Sequence, residues 1–181
     1  MDVIDELVQN NARFAVTGAT GHVDIRPARQ LAVVTCMDSR VDVFAALGLA
    51  FGDAHILRNA GGVITDDVIR SLAISQRVLG TSHMMLVHHT DCGMQKLTDD
   101  GFRASLQDAT GVAPAFAIES FTDVDADVRQ SLLRIHRSSF LLQEGTARGF
   151  VYDVDTRLLR EVRGDLTGSD ARRRLPDGER R

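Results

Sequence analysis

The sequence contains no tryptophan and a single tyrosine. Platforms for stacking exposed bases are therefore scarce. A dominant charge is also missing: 21 Lys and Arg face 25 Asp and Glu, a net −4. Without a basic excess, nothing directs the chain towards nucleic acid or another polyanion. No apolar run approaches the ~20 residues of a spanning helix, so no membrane partner is expected. The start, MDVIDELVQNN, lacks the basic head and apolar stretch of a secretory signal, and a cytoplasmic location is the expectation. Two cysteines, Cys36 and Cys92, are too few for a disulfide scaffold. In a reducing compartment such residues are buried, metal-binding or catalytic more often than bridged. Two unrelated core thiols is the plain alternative. No GxGxxG turn and no P-loop is present, which excludes the common nucleotide cradles.

The 181 residues are 44% hydrophobic and 25% charged, an ordinary globular balance. A chain of this size buries roughly 70% of its unfolded surface, enough for one core. Residues 1–165 read as a single domain. Residues 166–181 read as a flexible tail, because GSDARRRLPDGERR from Gly168 has no periodicity. A basic interaction patch is the other reading of that tail.

Residues 2–15 carry Val3, Ile4, Leu7 and Phe14 at helical spacing. Residues 16–30 read as a loop. LAVVT (31–35), AHILR (54–58) and HMMLVH (83–88) are short apolar runs that predict buried strands. Helices are predicted over 41–49 and 66–79, the second capped by Thr65 and stopped by Gly80. Another is predicted over 122–136, with Val124, Val128, Leu132 and Ile135 on one stripe. Residues 149–162 alternate about Asp155-Thr156 and predict a terminal strand or hairpin. Strands alternating with helices imply an α/β fold: one domain, a mainly parallel central sheet and flanking helices.

In such a sheet, ligands bind beyond the carboxyl ends of the strands. The first predicted strand ends at Cys36, followed by Met37-Asp38-Ser39-Arg40. The third ends in His88-His89-Thr90-Asp91-Cys92. If the two are neighbours, Cys36, His89 and Cys92 converge as two thiolates and one imidazole. That donor set suits zinc and leaves a fourth position for water. His88 is the rival ligand, but adjacent strand residues point to opposite faces, and a buried, hydrogen-bonded His88 is the expectation. Asp38 can ligate a metal or accept a hydrogen bond from its water. Arg40 can pair with that carboxylate and keep it ionised. A helix-start aspartate with a surface arginine is the bland alternative.

CMDSR at 36–40 and HTDC at 89–92 resemble the paired CxDxR and HxxC motifs of the β-class carbonic anhydrases. RNAGG at 58–62 resembles that family's segment after its second strand. The likeness is strong from Leu31 to Met94 and weaker through RGFVYDVDTRLLREV. It implies that Cys36, His89 and Cys92 hold one Zn²⁺ per subunit, with Asp38 and Arg40 as a catalytic dyad. Asp38 would serve as a conditional fourth ligand, and a site open near neutral pH is expected. The implied reaction is reversible hydration of CO₂ to bicarbonate and a proton by metal-hydroxide attack. The implied assembly is a homodimer or higher homo-oligomer, with the N-terminal helix packed on its partner. That helix could instead cover its own core.

The chain departs from the family pattern at two places. Pro27 stands where many members carry a substrate-facing glutamine, and Gln30 would need a different path. Substrate orientation would then rest on backbone N–H groups around Gly61 and Gly62, or the pocket is simply more apolar. Val33 stands where some members carry the tryptophan of an inhibitory bicarbonate site, although Arg58 matches its arginine. The HHT-x-CGM and RGFVYDVDT stretches are also similar to a subgroup that hydrolyses carbonyl sulfide, which makes COS the alternative substrate. A structural zinc domain without catalysis is a third reading. His55, His83 and His88 are the candidates for a proton shuttle.

Overall fold

The computed structural model describes residues 2–17 and 23–163. The predicted tail, residues 166–181, lies outside them. The described elements run in the order α1 (Val3–Thr17), β1 (Leu31–Cys36), α2 (Val43–Leu47), β2 (Ala54–Asn59), α3 (Asp66–Arg77), β3 (His83–His89), α4 (Asp99–Thr110), α5 (Val124–Arg137), β4 (Thr146–Tyr152) and β5 (Leu159–Glu161). Short 3₁₀ turns at Ala60–Gly62 and Gly93–Lys96 follow β2 and β3.

The strands form one sheet in the order β2-β1-β3-β4-β5. β1 pairs in parallel with both β2 and β3, and β3 in parallel with β4. Only β5 runs antiparallel, closing a hairpin on β4. The apolar runs form strands because burial on both faces suits continuous Val, Ile and Leu. Ala32, Val34, Met84, Leu86 and Val151 face Val68 and Leu72 of α3 and Val128, Leu132 and Ile135 of α5. Val33, Val87 and Tyr152 face the other way, against Val41 and Val43 beside α2. Leu72 is fully buried, which stabilises by about 2–3 kcal/mol. At Gly149 of β4 a Cβ would stand 2.4 Å from Val128 Cγ1, so the absent side chain lets α5 lie close to the sheet.

Several predicted elements shift. β2 was expected to be buried, but it lies at the sheet edge and most of its residues are only half-buried. The helix predicted over 41–49 shortens to α2, because Asp42 caps its start and Gly48, at φ 61°, ends it. Thr65 caps α3 as expected, through a hydrogen bond from the Val68 amide. α3 ends at Arg77, before Gly80. The alternation over 149–162 resolves into the β4–β5 hairpin. No residue of α1 is buried: Val3, Ile4, Leu7, Val8 and Phe14 all stay exposed.

Candidate metal centre

β1 and β3 are adjacent, with Thr35 opposite Val87. Their carboxyl ends therefore deliver Cys36 and His89 to one place, and the turn after β3 returns Cys92 to it. The donor atoms of Cys36, His89 and Cys92 lie within 4.8 Å of one another. The two sulfurs are 4.0 Å apart, close to the roughly 3.8 Å edge expected for two thiolates on one tetrahedral zinc. All three side chains are buried.

His89 is oriented for coordination. Its Nδ1–H donates to the Thr90 carbonyl at 2.8 Å. That bond assigns the proton to Nδ1 and leaves a lone pair on Nε2. Nε2 is buried and has no hydrogen-bond partner among the described residues. A buried ring nitrogen without a partner is costly, and a metal ion between it and the two sulfurs satisfies it. The backbone amides of Asp38 and Gly61 and the Cys92 thiol all turn towards the Cys36 sulfur. The Cys92 thiol has the largest effect, and Cys36 is lowered to about 4. Cys92 is pushed up in turn by the anionic sulfur opposite it. Burial opposes protonation of His89, but the Cys36 sulfur and the Thr90 carbonyl raise it above its ordinary value.

Asp38 stands beside this cluster, with Oδ2 3.7 Å from His89 Nε2. Arg40 grips it in a fork: Nε donates to Oδ1 at 3.0 Å and Nη2 to Oδ2 at 2.8 Å. The Arg40 amide adds a bond to Oδ1 at 2.9 Å. These bonds, above all those of the guanidinium, hold the Asp38 carboxyl well below the usual carboxylate range. Arg40 also reaches Asp91, donating from Nη1 to Oδ2 at 2.9 Å and from Nη2 to the carbonyl at 3.0 Å.

The carbonic anhydrase family model matches residues 31–139. The chain is 51% identical over 162 residues to β-carbonic anhydrase 1 of Mycobacterium tuberculosis, covering 90% of this chain and 99% of that protein. The chain belongs to the β-carbonic anhydrase family. Its fold also matches the crystal structure of a carbonic anhydrase from Streptococcus mutans, with a TM-score of 0.85 and 43% identity. That match covers 90% of this chain and 99% of the other. The relatives include a carbon disulfide hydrolase of Acidianus, 35% identical over 159 residues, 74% of this chain and 77% of that one.

Within this β-carbonic anhydrase fold, the remaining predicted residues fall in definite places. Gly61, at φ 83°, turns its amide to the Cys36 sulfur. Gly62, at φ 73°, lies against the backbone of Thr35 and Cys36. His88 is not one of the three clustered ligands: it is fully buried, with Nε2 2.6 Å from Asp127 Oδ2 of α5 and its ring 5.6 Å from that of Phe121. His83 opens β3 and bonds Thr146, and His55 near the start of β2 bonds Ser75. Both sit at the amino ends of their strands. From His83 to His89 at about 3.3 Å per residue is roughly 20 Å. Gln30 sits at that far end too, its carbonyl accepting from the Ser82 and His83 amides. Val33 is buried on the α2 face.

Two residues have roles at the site that sequence reasoning missed. Arg58 donates from Nε to the Cys36 carbonyl at 2.9 Å and from Nη2 to the Asp38 carbonyl at 2.7 Å, bracing the segment that carries both side chains. Asp91 holds Arg40. The HTDC motif displayed Asp91, but spacing alone gave it no partner.

Proposed function

We propose that this protein catalyses the reversible hydration of CO₂ to bicarbonate with one Zn²⁺ held by Cys36, His89 and Cys92. The observation that carries this reading is the unpartnered, buried Nε2 of His89, which faces two sulfurs beside an aspartate drawn aside by arginine. A Zn²⁺ bound there supplies a Lewis acid that lowers the pKa of water to about 7. The residues of the chain supply the rest. Arg40 keeps Asp38 ionised and turned from the cluster. Asp38 accepts a hydrogen bond from the nucleophilic water and aims its lone pair at the carbon of CO₂. Val63, Met94, Ile118 and Phe121 wall the cysteines and exclude bulk water from behind them. Gly61 supports the first ligand, its amide turned to the Cys36 sulfur, and Gly62 packs on the backbone of Thr35 and Cys36.

A second copy of this chain is the proposed cover for α1, whose apolar stripe finds no burial among the described residues. Ligand thiols that must stay reduced suit a cytoplasmic enzyme. Hydrolysis of a sulfur analogue of CO₂ is the second reading. It is favoured by Pro27, which offers no side-chain donor, and by the relatives named carbon disulfide hydrolases. Carbonyl sulfide and carbon disulfide are linear like CO₂ and offer carbon to the same nucleophile.

The test is a paired assay on one zinc-quantified preparation: CO₂ hydration by stopped flow, and sulfide release from COS and CS₂. Fast hydration with slow sulfide release is expected, and the reverse would assign the enzyme to the sulfur substrates. Asp38→Ala is expected to lower hydration by about 10²-fold with zinc retained. Cys36→Ser is expected to lose zinc and activity together. Stoichiometric zinc with neither activity would establish a structural metal site.

A further inference from the structure

We propose that Asp91 is a positioning residue: it anchors Arg40 so that the guanidinium spans both oxygens of Asp38 and keeps that carboxylate off the metal. This rests on the reading of Cys36, His89 and Cys92 as the metal site and of Asp38 and Arg40 as the dyad. The need for an anchor comes from the dyad itself. Asp38 Oδ2 is 3.7 Å from His89 Nε2, so a small rotation carries the carboxylate into the metal's fourth position. Among the described residues Arg40 alone draws it aside, and the Arg40 side chain is 45% exposed. An exposed ion pair is weak because two side chains lose rotational freedom to make it. Arg40 makes further contacts on its other edge, to an Asp91 whose side chain is 52% exposed, so the support comes from several bonds held together and not from burial. Nη1 reaches Asp91 Oδ2 at 2.9 Å, and Nη2 reaches the Asp91 carbonyl at 3.0 Å.

Asp91 is itself held. Lys96 Nζ lies 2.7 Å from Oδ1, the oxygen Arg40 does not use. The Asp91 backbone is in the left-handed region at φ 52°, where glycine is the residue of least strain. Aspartate is tolerated there, and its carboxylate supplies what a glycine lacks. Asp91 thus offers two acceptors to one guanidinium from a rigid turn between His89 and Cys92. A short chain of contacts, Lys96 to Asp91 to Arg40 to Asp38, ends beside the cluster.

The test uses the Zn²⁺ and Co²⁺ forms of the full chain, wild type, Asp91→Ala, Asp91→Asn and Arg40→Ala. The visible spectrum of bound Co²⁺ reports its ligand set, and steady-state CO₂ hydration reports kcat and KM. In Asp91→Ala, kcat is expected to fall about fivefold with KM unchanged. Its Co²⁺ spectrum is expected to move towards that of Arg40→Ala, in which Asp38 is free to ligate. Asp91→Asn keeps an oxygen acceptor in place and is expected to recover most of the loss. Wild-type kcat and spectrum in Asp91→Ala would overturn the proposal. An Asp91→Asn no better than Asp91→Ala would overturn anchoring, leaving only the charge. A wild-type protein that binds no Co²⁺ would overturn the metal reading beneath it. Metal binding and hydration with an indifferent Asp91 would overturn this inference alone.

Discussion

Gly62 shows how tightly single residues are constrained at this site. A Cβ there would stand 2.8 Å from the Cys36 nitrogen and 2.8 Å from the Thr35 carbonyl carbon, both backbone atoms of the strand that carries the first ligand. Its φ of 73° adds strain for any other residue. Gly62→Ala is expected to cost about 2 kcal/mol and lower Tm by roughly 4–8 °C, measured by calorimetry, with weaker metal binding in the same variant. The five residues Cys36, Asp38, Arg40, His89 and Cys92 were legible because each pairing within a motif is local in sequence. Arg58 and Asp91 were not. Arg58 works on main-chain carbonyls of Cys36 and Asp38, which no residue pattern encodes. Asp91 meets an arginine 51 positions earlier, a neighbour only because β1 and β3 are adjacent.

Among the helices, those with a long apolar stripe were readable whether or not the stripe is buried: α1 leaves its stripe exposed, and α3 and α5 bury theirs. α3 and α5 place Leu72, Val128 and Leu132 in the core, and their periodicity announces them. α4 buries no residue, and its 12 residues offer Phe102 and Leu106 as their large apolar side chains, a stripe too short to announce a helix. Its one signal is Thr98, which caps it by accepting from the Gly101 amide, followed by Asp99 and Asp100 in the first turn. The last strand is attached to α5 through charge. Arg160 of β5 grips Asp125 with two bonds, 2.9 Å from Nη1 and 2.7 Å from Nη2. Arg160 holds the Asp125 carboxyl below its ordinary 3.8. A carboxyl lowered in the folded state stabilises fully above its unfolded value and loses that contribution as pH falls through its folded one. Both partners are partly exposed, so Asp125→Asn is expected to cost about 0.5 kcal/mol at pH 7. The difference from wild type should vanish in thermal melts once pH falls well below 3.8. A constant difference at all pH values would assign the effect to helix capping instead.

The whole molecule is an open sheet whose working edge is built from the ends of adjacent strands, with one helix held apart from the core. α1 exposes Val3, Ile4, Leu7, Val8 and Phe14, an apolar face that a lone chain leaves in water. Deleting residues 1–15 is expected to convert the proposed dimer to a monomer in analytical ultracentrifugation and to abolish the proposed hydration together with it. A fully active monomer would show that the helix has no part in the site. Among the described residues no helix is long and apolar enough to cross a membrane. What the sequence by itself determined is the alternation of strands and helices and the two short motifs that carry the candidate site residues, because apolar periodicity and motif spacing are local properties of the chain. Only the tertiary structure decided that β2 is an edge, that α1 is unburied and that Arg40 serves two aspartates. Each of these depends on strand order and on which distant segments meet, and those follow from packing the whole core at once.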